Sequence, residues 1–410
     1  MEKRYVLLRI TTFALILRLA AVVIVGRTSG TEVYEYSDIA LNIVQGLGYS
    51  FDFYDSQPTV PTAWMAPFYT YFLAGCYALL GNNHWLILVL QGLLGVVTCW
   101  LIGLIGLRIG SAFTGIAALI LFSLYPEAIF LPLRLVSESW LLLWMMLFVL
   151  WVVNFLQTSK KRYLILAGVA AGLAALTKES ALVLPFLALI WIAIKRGITR
   201  KTISQALLLL IVTAVTVLPW TVRNYVIFQS FIPVRTGFWY NAWRGNHPGA
   251  TGTARSFDGV NVDYSLSTAY RTEIEARLSG NEVQREKIYR EFTLRYIAEN
   301  PGQFLKLCAH RVIYFWIYDP THPLTGHILY WLPWLLLLGL AILGSIAARE
   351  RWRDYVFWYA LFGVYTLSYG LTMVLPRYRE PLLPGLMFLA AEGIRWSYLR
   401  VSNRPSTIAS

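Results

Sequence analysis

Glu32, Glu35 and Asp38 stand three residues apart just after the first apolar run, in Thr31-Glu-Val-Tyr-Glu-Tyr-Ser-Asp38-Ile-Ala. In the 3.6-residue period of a helix this spacing puts them along one face, so the three carboxylates would look into a common space. A carboxylate there can take a proton from an attacking hydroxyl. Acids are scarce in this chain, 22 against 35 Lys and Arg, which makes the cluster the leading candidate for chemistry. Arg134, Glu138, Lys178, Glu179, Arg223, Arg235, Arg244, Arg377 and Arg379 also fall beside apolar runs. Guanidinium groups hold phosphate through paired N–H donors, so arginines at headgroup level suit a lipid phosphate.

Each of these residues also has a plainer reading. The acids at 32, 35 and 38 suit a solvated helix face or a helix start, and Glu138 follows Ser137 as a helix-start acid would. Arg377 and Arg379 could anchor a loop at the headgroups, and Lys178 and Glu179 could neutralise each other. Trp239, Tyr240 and Trp243 suit either stacking on sugar faces or interfacial anchoring.

Such groups need elements to hold them, and the composition says what those are. Hydrophobic residues make up 57% and charged residues 14%, with a mean hydropathy of +0.55, against the roughly one-quarter charged content of soluble domains. The chain reads as an all-α polytopic membrane protein. Segments 6–26, 85–107, 111–131, 138–157, 202–221, 328–348 and 355–375 are each long enough to cross about 30 Å of hydrocarbon as helices. Shorter apolar runs at 66–80, 163–177, 181–194, 305–318 and 381–396 bring the expected count to ten to twelve.

The net charge of +13 does not mark a nucleic-acid binder, because the basic residues collect beside apolar spans. They lie in Ser159-Lys-Lys-Arg162, Lys195-Arg196 with Arg200-Lys201, Arg349-Glu-Arg-Trp-Arg353 and the stretch from Arg395 to Arg404. That is the positive-inside signature, which assigns these loops and both termini to the cytoplasm. Segments 27–65, 177–180, 222–304 and 376–380 then face outward. Counting 66–80 as a full crossing would put Ser159–Arg162 outside, so this run is expected to be re-entrant or incomplete. His310 and Arg311 interrupt 305–318, which reads as an interfacial amphipathic helix.

The expected organisation is a membrane module 1–221 with an outer loop at 27–65, a loop-helix insertion 222–304, a second membrane module 305–400 and a cytoplasmic tail 401–410. Within the insertion, 282–299 has helical spacing, and Asn300-Pro301 reads as the start of the next helix. The N-terminal run is interrupted by Arg18 and lacks an obvious cleavage site, so it reads as a retained helix. Cys76, Cys99 and Cys308 form no CxxC pair, and the five histidines lack metal-ligand spacing. Neither a disulfide framework nor a protein-encoded metal site is expected, while a divalent ion bridging carboxylate and lipid phosphate stays open.

The order of these features resembles the GT-C glycosyltransferases, in particular the family 39-like group of protein O-mannosyltransferases and aminoarabinose transferases. Glu32-Val-Tyr-Glu-Tyr36-Ser-Asp-Ile39-Ala40 is similar to a D-E-x-x-Y-x-x-I-A pattern after the first helix, and Ala66-Pro67-Phe68-Tyr69 to a P-P-L-Y landmark. Leu135-Val-Ser-Glu138, Leu176-Thr-Lys-Glu179, Pro219-Trp-Thr-Val-Arg-Asn-Tyr225 and Arg377-Tyr-Arg-Glu-Pro-Leu-Leu-Pro384 follow in family order. Glu32 stands where the family usually has aspartate, Val33 where an acid often comes next, and Met65 where aminoarabinose transferases have lysine.

The resemblance implies a GT-C-like bundle that moves a sugar from a polyprenyl phosphate to an acceptor at the outer membrane face, by one inverting displacement. The expected location is a prokaryotic plasma membrane. Glu32 is then the leading base, with Asp38 and Glu35 next. Arg377, Arg379, Arg223 and Lys178 would hold the donor phosphate, and Glu138, Tyr69, Trp239 and Trp243 would contact substrate. No cofactor and no nucleic acid are expected, and the acceptor, whether protein, lipid or glycan, is left open. The competing reading is a transporter or flippase for lipid-linked glycans, with Arg18 and Glu138 as intramembrane substrate contacts. Such a protein would show repeated halves with broken-helix pairs, and no repeat is visible.

Overall fold

The computed structural model describes residues 2–26, 35–52, 59–81, 83–259, 272–274, 277 and 281–402. Their helices are α1 (Glu2–Ile24), α2 (Glu35–Val44), α3 (Pro67–Leu80), α4 (His84–Ile109), α5 (Ala112–Leu124), α6 (Pro126–Phe130), α7 (Glu138–Thr158) and α8 (Lys161–Thr177). There follow α9 (Leu184–Arg196), α10 (Arg200–Phe228), α11 (Phe238–Gly245), α12 (Glu282–Glu299), α13 (Pro301–Trp316), α14 (Ile328–Ala347), α15 (Trp352–Leu371) and α16 (Leu383–Ser402). The one sheet among the described residues pairs β1 (Ser50–Phe51) antiparallel with β2 (Val60–Pro61).

Polar contacts between helix ends fix the direction of each helix. Glu138, opening α7, meets Lys178, just past α8, at 2.6 Å, so the two helices form an antiparallel hairpin. At its far end Arg196, closing α9, donates to Phe155 O and Leu156 O at 2.7 and 2.8 Å, and Trp191 donates to Arg353 O at 3.0 Å. Arg351 and Thr114 both reach Glu392 of α16, at 2.8 and 2.7 Å. The basic clusters of the described residues therefore gather at one end. Residues 35–65, 138, 178, 223–245 and 370–380 gather at the other.

Among the described residues ten helices run between the two ends: α1, α4, α5, α7 to α10, and α14 to α16. The short α3 does not. Tyr77 near its C-terminus hydrogen-bonds Ser37 of α2 at 2.6 Å and approaches His84, the first residue of α4, at 3.4 Å. Since α3 starts and ends near the same face, the direction of α7 agrees with the placement of Ser159–Arg162 among the other basic clusters. α13 also turns back. Its Arg311 is fully buried and donates to Gly370 O, Gly245 O and Thr372 O at 2.7, 2.7 and 2.9 Å. The charge that interrupts the apolar run of 305–318 thus has an internal role: this guanidinium pins α11, α13 and the end of α15 together.

Among the described residues five helices are long and apolar enough to cross a membrane alone: residues Tyr5–Ile24 of α1, α4, α7, α10 and α14. A sixth arises if α5 and Pro126–Leu133 are one span bent by 64°. Proline has no N–H to continue the ladder, so Pro126 accounts for the break. Arg18 of α1 donates to Phe122 O and Ala128 O, at 3.4 and 3.3 Å, on either side of it. Its charge thus serves the carbonyls of a broken helix. α14 and α16 pack through Gly344 and Gly393, where a Cβ on Gly344 would lie 1.7 Å from Leu389 O, so glycine is needed for this approach.

Candidate active site

A cavity of about 460 Å³ opens at the end away from the basic clusters. Its walls come from stretches far apart in sequence: Glu35 and Tyr36 of α2, Met65, Glu138, Lys178 to Ser180, Arg235, Phe238 and Asn241 of α11, the last turns of α15, and Arg377-Tyr378. They converge because each lies at a helix terminus or a tight connection at the same end of the bundle. α7 begins at Glu138, α8 ends one residue before Lys178, and the 3₁₀ turn Pro376–Leu382 carries Arg377.

Three cations and three carboxylates share this space. Lys178 Nζ binds Glu138 Oε1 at 2.6 Å, with both side chains nearly buried, and lies 5.1 Å from the Tyr378 ring. Lys178 and Glu179 do not neutralise each other, because Glu179 turns to Arg235 at 3.9 Å. Arg235 donates to Thr236 O at 2.9 Å and stands over the Trp64 ring at 5.8 Å. Charges in such a partly enclosed space act on one another more strongly than in bulk water.

The chain was compared with known proteins at the level of family, sequence and structure. Residues 61–220 match the family model for dolichyl-phosphate-mannose-protein mannosyltransferase. No curated protein sequence matches the chain. Among solved structures it is similar to an Archaeoglobus fulgidus oligosaccharyltransferase tethered with an acceptor peptide, at 13% identity and TM-score 0.59, covering 97% of this chain and 50% of that one. The archaeal oligosaccharyltransferase AglB in complex with an inhibitory peptide and a dolichol-phosphate gives 14% and 0.58, covering 100% and 53%. ArnT from Cupriavidus metallidurans bound to undecaprenyl phosphate gives 15% and 0.52, covering 96% and 62%. This chain has the GT-C fold. It spans between half and under two thirds of the length of these structures.

In this GT-C bundle the residues singled out from the sequence divide sharply. Glu35, Glu138, Lys178 and Arg377 line the cavity. Glu32 lies outside the described residues. Asp38 is exposed on α2 and does not line the cavity, because the buried positions Ser37, Ile39 and Ala40 turn that helix so that Glu35 and Tyr36 face inward. Arg379 points to the far side of its turn, donating to Tyr314 O at 2.5 Å over the Trp334 ring. Arg223 binds Thr62 O and Tyr49 O at 2.6 and 3.0 Å and so straps the first loop to α10. Tyr69 is fully buried with its hydroxyl on Gln91 Oε1 at 2.7 Å. Trp239 and Trp243 lie off the cavity face of α11, and Trp243 packs on Phe292 and Tyr296 of α12. Arg235, absent from the phosphate-binding set chosen by motif, is the added cation. Its one sequence signal was an arginine on the side where the positive-inside rule disfavours it.

α12 ties the Thr62–Ala63 segment and the start of α11 together beside the GT-C cavity. Glu282 accepts from Ala63 N at 2.6 Å and from Thr62 Oγ1 at 2.8 Å. One turn on, Glu286 accepts from Trp239 N and Tyr240 N at 2.8 and 3.2 Å and so caps the start of α11. Burial pushes Glu282 up to about 7, against the hydrogen bonds from Thr62, Ala63 and Thr236 and the charge of Arg223. Burial also raises Glu286, opposed by the Trp239 and Tyr240 N–H groups.

A carboxyl whose folded pKa lies above the ordinary 4.5 favours the folded state fully below that value, and the advantage is lost as pH rises through about 7. The loss is worth roughly 3 kcal/mol. Glu282→Gln mimics the protonated acid, so its melting temperature should exceed that of the wild type at pH 8 and fall less between pH 5 and 8. Equal slopes in the two proteins would show that Glu282 is ionised throughout.

Proposed function

We propose that the protein transfers a glycosyl group from a polyprenyl phosphate to an acceptor nucleophile at the outer face of the membrane, with inversion. The observation that carries this reading is one cavity that brings three carboxylates and three cations together beside an apolar flank. Glu35 faces Arg235, Lys178 and Arg377, while Leu367 and Leu371 of α15 continue the lining and are 64% and 45% exposed. A polyprenyl chain fits that flank, and its phosphate fits the cations. The family match over 61–220 supports the reaction class, and similar structures hold dolichol-phosphate or undecaprenyl phosphate.

In the proposed step the acceptor oxygen attacks the anomeric carbon from the face opposite the phosphate. The bond from that carbon to the phosphate oxygen breaks, its electron pair leaves with the phosphate, and a carboxylate of the 32–38 cluster takes the acceptor proton. The leaving phosphate gains negative charge, so fixed cations stabilise it more than a proton donor would. A single displacement inverts the anomeric centre.

The test is transfer of radiolabel from a panel of polyprenyl-phosphate sugars in membranes that contain the wild type. Label should reach an acceptor from at least one donor, and absence of transfer from the whole panel would reject the reading. The outward orientation is supported by the basic clusters at the opposite end. In a cysteine-free background in intact cells, Gln284→Cys should react with an impermeant maleimide and Lys160→Cys should not. The reverse pattern would invert the orientation.

A further inference from the structure

Behind the turn that carries Arg377 lies a second cavity of about 30 Å³, bordered by Glu127, Tyr330, Trp334, Arg379 and Glu380. Glu380 is 2% exposed, and neither of its carboxyl oxygens has a hydrogen-bond partner among the described residues. Tyr330 Oη and Arg379 Nε are likewise buried without one. Polar groups converging on a space the size of one water are the setting that an ordered water satisfies.

Glu380 is surrounded by charge. Lys178 and Arg134 face it, Arg377 and Arg379 share its turn, and the acids acting on it are Glu138 of α7 and Glu127 of α6. Tyr330 reaches the same space from α14, stacked on His322. Glu380 nevertheless forms no ion pair with any described cation. A buried carboxylate with neither a donor nor a counter-ion is costly, whereas a carboxylic acid is tolerated. Burial first, then Glu138 and Glu127, push its titration well up.

We propose that Glu380 is a positioning residue for the donor phosphate: an uncharged acid, hydrated from the small cavity, that does not compete with phosphate for Lys178 and Arg377. This rests on the donor reading above. Ionised, Glu380 would be a second anion beside Glu138, drawing on the same lysine and weakening the grip on phosphate.

The experiment compares the full-length wild type with Glu380→Gln, which keeps the shape but cannot ionise. Binding of farnesyl phosphate is measured from pH 7 to 10, together with the infrared carbonyl band of protonated carboxylic acids at pH 8. The wild type should lose about tenfold more affinity than Glu380→Gln over that range, and part of the band should vanish in the variant. Equal pH slopes, or identical bands, would overturn the proposal. If Glu380→Gln does not fold, Glu380→Met gives the same two comparisons. Failure of farnesyl phosphate to bind either protein at any pH would reject the donor reading on which the proposal rests, while the infrared band would still report whether Glu380 holds its proton.

Discussion

One of the two variants Glu32→Gln and Glu35→Gln should lower transfer about 10²- to 10⁴-fold, and Asp38→Asn should change it by less than about threefold. A single displacement needs one base. Glu32 is the leading base by resemblance of its motif alone, and Glu35 lines the cavity within electrostatic reach of Arg235. The amide keeps size and hydrogen bonding but cannot take a proton. The loss therefore falls on kcat, with KM largely held, as expected when an interaction matters only in the transition state. Asp38 is exposed and off the cavity, so its amide variant is the internal control. Full rates in both glutamine variants, or an equally large loss at Asp38, would remove this assignment.

Arg377→Lys should weaken the donor grip by roughly 10- to 150-fold, the equivalent of one charge-assisted contact of about 1.5–3 kcal/mol. Lysine keeps the charge but replaces two parallel donors by a point, so the substitution is not conservative at a phosphate. Arg377 lines the cavity beside Tyr378, whereas Arg223 is held by the Thr62 and Tyr49 carbonyls. Arg223→Lys should therefore lower the melting temperature and leave the donor KM within about twofold. Initial rates over a range of donor concentrations separate the two outcomes. An unchanged KM and kcat in Arg377→Lys would place the phosphate elsewhere, with Arg235 and Lys178 the next to examine.

Much of this arrangement was legible in the sequence because hydrophobic length and charge placement are properties of segments. The helix over 282–299, the new helix at Pro301 and the incomplete crossing of 66–80 all follow from spacing, proline geometry or charge parity. Side-chain direction is different, since it depends on how a helix rotates against neighbours distant in sequence. Arg377 and Arg379 look equivalent in a motif, yet a 3₁₀ turn sends them to opposite sides. Lys178 looked adjacent to its neutralising partner at 179, but the partner is Glu138, forty residues earlier. Trp243 suited a sugar platform as well as interfacial anchoring, and is instead buried where α11 packs on α12.

The hold of α12 on the first loop bears on the order of assembly. Glu282 is 220 residues from Thr62 in the chain, and Arg377 comes from the last connection between described helices. A membrane chain folds from its N-terminus as it is synthesised, and contacts between distant segments form late. α1 to α10 can therefore be inserted and packed while the cavity still lacks Arg235 and Arg377, two of its three cations. The growing chain remains without a complete site through most of its biogenesis, and nascent molecules truncated before residue 377 should be inert even when their bundle is well formed.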